Sequence, residues 1–266
     1  MRYAHQSDGI ERLSRSIEQD HRSEAARPAT ADAVEVFHRT FIGNQLLVRL
    51  SDTARAELAP LLQRVELPAG AAIGAADANG REQCFFLTSG LASCALIDRR
   101  RERIEVAVVG CESAIGLSAF AARDGQMRIR MLAPGSALKI GCADLARLTG
   151  RSAEIAALAR AAVADFLQQS TGNLLAAARY GVEQRVARWL LIATERARLD
   201  ALPVTHETIA MALGVRRAGV SLALNAQRAA RAIECGRRTV TILDRPLLVE
   251  AAGGSYTAMG RERATP

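Results

Sequence analysis

The segment Val204–Leu224, VTHETIAMALGVRRAGVSLAL, decides how the chain is read. Thr205 can cap a helix N-terminus by accepting a hydrogen bond from a free backbone N–H, and Glu207 places negative charge in the first turn. Ile209, Ala210 and Leu213 recur on one apolar face, which predicts a helix of about two turns. Gly214 follows where a helix end needs a residue that tolerates left-handed backbone, and Val215 can pack beneath the corner. A second helix restarts at Arg216 and runs through Val220, Ala223 and Leu224. Helices joined by so short a turn cross steeply and need a small residue where they touch, which Ala210 supplies. The pattern is that of a helix-turn-helix. Arg216 and Arg217 fall on the first turn of its second helix, where base edges and phosphates are met. No acidic residue intervenes between Glu207 and Glu234 to neutralise them. An ordinary Ala/Leu-rich helical hairpin has the same local pattern, so the rest of the chain must discriminate.

At 266 residues and 49% hydrophobic content the chain can bury a sizeable core and is long enough for two domains. Aromatic residues are only 4%, so aliphatic packing must dominate. The net charge of +7 suits a polyanionic partner. Lys139 is the only lysine; the positive charge is therefore almost wholly arginine, whose planar fork fits phosphate and guanine. Genomic base composition produces the same bias. The first residues, MRYAHQSDGIERL, hold no apolar run, and no stretch approaches 18 uninterrupted apolar residues, which predicts a cytoplasmic protein without a membrane span.

Cys84, Cys94, Cys111, Cys142 and Cys235 are odd in number, widely spaced and mostly within apolar strings, so they read as small buried hydrophobes in a reducing compartment. Neither they nor His5, His21, His38 and His206 cluster at metal-ligand spacing, so no metal and no iron–sulfur cluster is expected. No carboxylate pair, Ser/His/Asp grouping or phosphate-cradling glycine loop argues for catalysis, and no catalytic residue is assigned.

Residues 1–32 form a polar, charge-mixed tail. From Val34 the text turns helical, and Leu58, Leu61, Leu62 and Val65 predict a helix ending before Pro68-Ala69-Gly70. Short strands then follow at Val65–Leu67, Cys84–Leu87, Leu91–Ile97, Ile104–Val109 and Met127–Leu132, separated by turn residues, which predicts a compact antiparallel barrel or roll. Ala143–Leu148 is a short helix. Ser152–Ala178 is a long Ala-rich one with a broken stripe of Ile155, Leu158, Ala162 and Phe166, and a parallel copy in a second subunit is its expected partner; the alternative is packing on the chain's own roll. Val182–Leu199 is a further amphipathic helix, with Trp189 a core residue of the C-terminal domain. After the helix-turn-helix, Ile233–Cys235 and Val240–Leu243 flank Gly236-Arg237-Arg238, a hairpin tipped with two arginines that can touch DNA backbone. From Thr205 to Arg245 there are seven arginines against Glu207, Glu234 and Asp244, a net of +4 in 41 residues.

These residues together resemble the Crp/Fnr superfamily of bacterial transcription regulators over about Asn44 to Tyr256. The resemblance rests on Leu67-Pro68-Ala69-Gly70, Phe85–Gly90, Glu105–Gly110, Arg185–Leu190, Leu213–Ser221 and Ile242–Arg245. It implies an α+β architecture: an N-terminal antiparallel β-roll of the cyclic-nucleotide-binding type over 33–150, a dimerisation helix over 151–180, a winged helix-turn-helix over 181–256 and a tail over 257–266. It also implies a homodimer that binds double-stranded DNA, with RNA polymerase a candidate partner. Relatives that bind cyclic AMP carry Gly-Glu and Arg-Ser or Arg-Thr pairs. Here Gly116 precedes Leu117, and the second region reads Gly125-Gln126-Met127-Arg128. Arg128 or Arg130 could be recruited to a phosphate, but an uncompensated phosphate in a partly dry pocket costs several kcal/mol, so no tight cyclic-nucleotide binding and no other cofactor is expected.

The DNA reader departs as well, with Arg217, Ala218 and Leu222 where well-known relatives present Arg, Glu and Arg. Arg217 is then the main aligned base reader, with Arg216 and Ser221 beside it. Thr205 and His206 are expected at phosphate, and Arg237 and Arg238 on the backbone at the wing. Ala229–Ile233 lacks the family's usual Gly-Leu-Ile and carries an extra residue, which puts the wing in question and leaves open a regulator acting through protein contacts alone.

Overall fold

Beyond the first 40 residues the chain forms one compact unit, the second of two, over 41–266. The computed structural model describes residues 41, 43–74, 80–99, 103–117 and 127–258. The tail over 1–32, Gly125-Gln126 of the cassette and most of the tail over 257–266 lie outside the described residues.

Asn44 anchors the start of the second unit. Fully buried, it caps helix α1 (Gln45–Val48) through Oδ1, while Nδ2 donates to the carbonyls of Leu87 and Ser113 at 2.8 and 2.9 Å. Helix α2 (Asp52–Leu58) follows, capped by Ser51, and passes into a 3-10 turn over Ala59–Leu61. The predicted helix therefore stops short: Val65 lies in strand β1 (Gln63–Leu67), because Pro60 in the 3-10 turn tightens the chain and the following residues pair as a ladder.

The strands β1, β2 (Ala72–Ile73), β3 (Gln83–Leu87), β4 (Leu91–Ile97), β5 (Arg103–Val109), β6 (Ala114–Ile115), β7 (Met127–Ala133) and β8 (Gly135–Gly141) form two antiparallel sheets. One runs β1-β8-β3-β6 and the other β2-β7-β4-β5. Alternate residues of each strand point inward, so Phe85 and Leu87, Ala92 and Cys94, Ala107 and Val109, Met131 and Ala137 fill one apolar core. Strand β8 is not among the strands expected from the sequence, yet it is paired on both sides, with β1 and with β3.

Helix α3 (Cys142–Thr149) leads to α4 (Ala153–Arg179), of 27 residues and capped by Ser152. Ile155, Leu158 and Ala162 are buried within this one chain, and Phe166 packs into the roll's core. These side chains are thus covered within their own chain, which is the alternative to the dimer seam that the sequence offered for this stripe. Further along, α4 changes from apolar to polar contact. Gln169, also buried, accepts from the Val108 N–H at 2.6 Å and donates to the Val108 carbonyl at 2.9 Å; Ser170 and Asn173 both donate to the Val106 carbonyl. Strand β5 is the edge of its sheet, and these side chains supply the ladder partners that a further strand would have given.

Helix α5 (Val182–Ala197) carries the roll into the C-terminal half. Its Val186, Leu190 and Ala193 share one core with Leu91, Val108 and Ala133 of the roll. Gly110 sits so close to α5 that an added Cβ would lie 2.0 Å from the Arg196 carbonyl oxygen. Arg196, 5% exposed, pairs with Glu112 and donates to both oxygens of Asp165 at 3.0 and 2.9 Å, joining the β5–β6 turn, α4 and α5. Burial alone would lower its pKa; the hydrogen bonds to Asp165 and the charges of Glu112 and Asp165 outweigh it and hold the pKa above the ordinary value. Trp189 belongs to the C-terminal core as expected, but it also reaches the roll, donating from Nε1 to Glu105 at 2.7 Å. The rest of the C-terminal half is β9 (Ala201–Leu202), α6 (His206–Leu213), α7 (Arg217–Ala229), β10 (Ile233–Gly236), β11 (Thr239–Ile242) and α8 (Arg245–Ala251), with a sheet ordered β10-β11-β9. No helix among the described residues is long and apolar enough to cross a membrane.

Burial pushes the Glu105 carboxyl up to about 7 from 4.5, against hydrogen bonds from Ser93 and Trp189 that favour its charged form. A raised carboxyl pKa gives stability that is fully present below the unfolded value and is lost as pH rises through the folded one. Glu105→Gln should therefore stabilise the chain by on the order of 3 kcal/mol near pH 9 and by under about 1 kcal/mol near pH 5. Urea unfolding at the two pH values measures the difference, and an equal effect at both would contradict the shift.

Candidate nucleic-acid interface

Thr205 accepts from the Thr208 N–H at 3.1 Å and starts α6. Gly214 ends it with φ +63, and Val215 N–H returns to the Ala210 carbonyl at 3.1 Å. That left-handed residue turns the chain into α7, whose N-cap is Arg216. Ile209, Ala210 and Ala212 of α6 and Val220, Ala223, Leu224 and Gln227 of α7 are buried, which fixes the faces the two helices turn to solvent. His206 Nδ1 and Ser221 Oγ lie 2.9 Å apart and tie α6 to α7.

The open face of α7 carries Arg216, Arg217 and Ala218, then Leu222, Asn225 and Arg228, all exposed. Leu222 is 72% exposed, an unusual position for a leucine that has a core beside it. None of the arginines on this face has a carboxylate within ion-pair distance among the described residues. Asn225 and Arg228 were not singled out from the sequence. Asn225 stands eight residues after Arg217, on the same helical face, and that spacing was the available signal.

Of the residues assigned to DNA, Arg216 and Arg217 are exposed on α7 and Arg237 and Arg238 at the hairpin tip. Thr205, His206 and Ser221 are half-buried and already engaged with one another's helices through the cap and the His206–Ser221 contact. The hairpin forms despite its altered approach: Ile233–Gly236 pairs in register with Thr239–Ile242. Arg231, at φ +60, takes the left-handed conformation just ahead of it, and the Ala232 N–H returns to the Gln227 carbonyl at 3.0 Å.

The effector-cassette residues are not brought together. Gly116 is buried at the end of β6, close to the Gln83 carbonyl oxygen. Arg128 and Arg130 are exposed on β7, whose Ile129 and Met131 take the core side. Residues two apart on a strand share a face, so both arginines point out of the roll and neither can be recruited to its interior.

Residues 184–251 match the model of the Crp-like helix-turn-helix domain. No curated relative matches the chain. Among solved structures, a Crp/Fnr-family transcriptional regulator from Eubacterium rectale is 19% identical with a TM-score of 0.60, over 80% of this chain and 99% of that one. FixK2 from Bradyrhizobium japonicum is 18% identical at 0.60, over 74% and 98%. A CRP-family transcriptional regulator from Thermus thermophilus is 20% identical at 0.59, over 74% and 99%. At such identities the likeness is one of fold, and the fold agrees with the family of the matched domain. Residues 184–251 thus match the Crp-like helix-turn-helix domain, and the architecture as a whole has the fold of these Crp/Fnr-family structures.

Proposed function

We propose that the protein is a transcription regulator of the Crp/Fnr type, a homodimer that reads a two-fold DNA site by inserting α7 into the major groove. The observation that carries the reading is the open face of α7, with unpaired arginines at its N-terminal end. Arg217 is placed for the O6 and N7 acceptors of guanine, and Arg216 for phosphate. Arg237 and Arg238 at the hairpin tip provide backbone contacts that carry no sequence information. His206 and Ser221 hold the angle between α6 and α7 and reach DNA only by sharing their mutual hydrogen bond.

Dimerisation is assigned to the other face of α4. Val163, Leu167 and Leu174 are 44%, 62% and 71% exposed, and they recur at spacings of four and seven residues. That is the seam of a parallel two-helix coil. Two recognition helices held by such a seam read half-sites about one helical turn of DNA apart. The roll's outward-facing Arg128 and Arg130 and its apolar filling argue against a cyclic-nucleotide phosphate inside it, so the regulator answers to another signal.

On a duplex selected from random sequence by the full chain, Arg217→Ala should weaken binding by about 1–3 kcal/mol and relax one base position per half-site. Arg237→Ala should weaken all sequences alike and reduce the salt slope by about 1. Fluorescence anisotropy across a salt series measures both, and two variants that bind like the parent would refute the interface. Leu167→Glu should convert the dimer to monomer in light scattering; a dimer that survives it places the seam elsewhere.

A further inference from the structure

A cavity of about 160 Å³ lies where the roll meets the C-terminal half, bounded by β5, α4, α5 and α6. Its lining includes Glu105, Asn173, Leu174, Arg185, Arg188 and Trp189. Arg185 and Arg188 are three residues apart on α5 and so share a face. Arg188 donates from Nε to the Ser255 carbonyl at 2.9 Å and from Nη1 to Asn173 Oδ1; Arg185 donates from Nη2 to the Leu213 carbonyl. Every one of these acceptors is neutral. Neither guanidinium has a carboxylate within ion-pair distance among the described residues. Burial lowers the pKa of both, and the charges of Arg185 and Arg196 lower that of Arg188 further. Glu105 also lines the cavity, but its carboxyl is engaged by Trp189 and Ser93.

Partly buried cations are normally matched by an anion, because leaving them unmatched costs free energy. The remaining walls, among them Val106, Leu174, Ala177 and Leu213, are apolar. At about 30 Å³ per water the volume holds about five waters, which is room for an anionic head and a short hydrocarbon body. We propose that this cavity binds a small organic carboxylate, its head on Arg185 and Arg188 and its hydrocarbon against Val106, Leu174 and Leu213. The roll's interior does not compete for it, since Phe166 and the inward-facing strand residues occupy that space.

The cavity touches the DNA reader directly. Arg185 holds the carbonyl of Leu213, the residue before the Gly214 turn, so a ligand that draws Arg185 away acts on the angle between α6 and α7. That regulatory consequence rests on the proposed DNA-reading role; the binding itself does not.

Trp189 is the only tryptophan of the chain and lines the cavity, which provides the readout. Hexanoate is titrated into the full-length protein without DNA, following Trp189 emission and heat in parallel, with hexanamide and inorganic phosphate as the other arms. A saturable response is expected with hexanoate and none with hexanamide. Arg185→Gln and Arg188→Gln should each weaken it at least tenfold while keeping the parental circular dichroism. Should either variant fail to fold, Ala177→Phe, a substitution at an exposed position of α4, should abolish the response by filling the cavity. No saturable response to hexanoate, an equal response to hexanamide, tighter binding of phosphate, or indifference to these substitutions would each overturn the proposal. Because DNA is absent, these outcomes are independent of whether α7 reads a duplex.

Discussion

Gly110 lets the backbone of α5 come into contact with the turn between β5 and β6, and Arg196 then reaches back to Glu112 and across to Asp165. The rest of the molecule depends on this junction. A side chain at position 110 would push α5 outward by its own width, and Arg196 would be left buried without its carboxylates, a situation that costs several kcal/mol. With α5 in place, Trp189 meets Glu105 and Val108 joins the C-terminal core, so the two halves share apolar surface as well as charge. The helix that opens the DNA-binding domain is thus also a wall of the roll.

Past Phe166 helix α4 turns polar, and the edge of β5 is the reason. Strand β5 would expose an unpaired edge if α4 offered it only alanine and leucine. Gln169, Ser170 and Asn173 satisfy Val106 and Val108 instead, and the edge is closed without another strand. Strand β5 therefore meets α4 through hydrogen bonds along its backbone, α5 through Trp189 and Arg196, and the corner of α6 through Ile104, which lies next to Gly214. Strand β5 thus touches the turn of the helix-turn-helix directly. The cavity beside this contact is bordered by all three helices.

Local chemistry was legible in the sequence. Thr205 as a cap, Gly214 as a left-handed corner and the spacing of Ile209, Val220 and Leu224 are signals contained within a few residues, and the helix-turn-helix follows from them. Strand β8 has no local signature of its own, because a strand paired on both sides and largely buried lacks the alternation of a half-exposed one. In α4, periodicity revealed that an apolar stripe exists but not what covers it: Ile155, Leu158 and Ala162 are buried within their own chain and Phe166 meets the roll's core, while Val163, Leu167 and Leu174 stay exposed. Arg128 and Arg130 looked recruitable in sequence, and only the pleat of β7 shows that they face outward. The contacts that unite the halves, Trp189 with Glu105 and Arg196 with Glu112, each span 84 residues and have no local signature.

Joined through α5, the roll and the helix-turn-helix should unfold as one cooperative unit. Differential scanning calorimetry of the intact chain and of Arg196→Ala measures this. A single unfolding transition in the parent, with calorimetric and van't Hoff enthalpies in agreement, and two separated transitions in the variant are the predicted result. Two independent transitions in the parent chain, unchanged by the substitution, would contradict it.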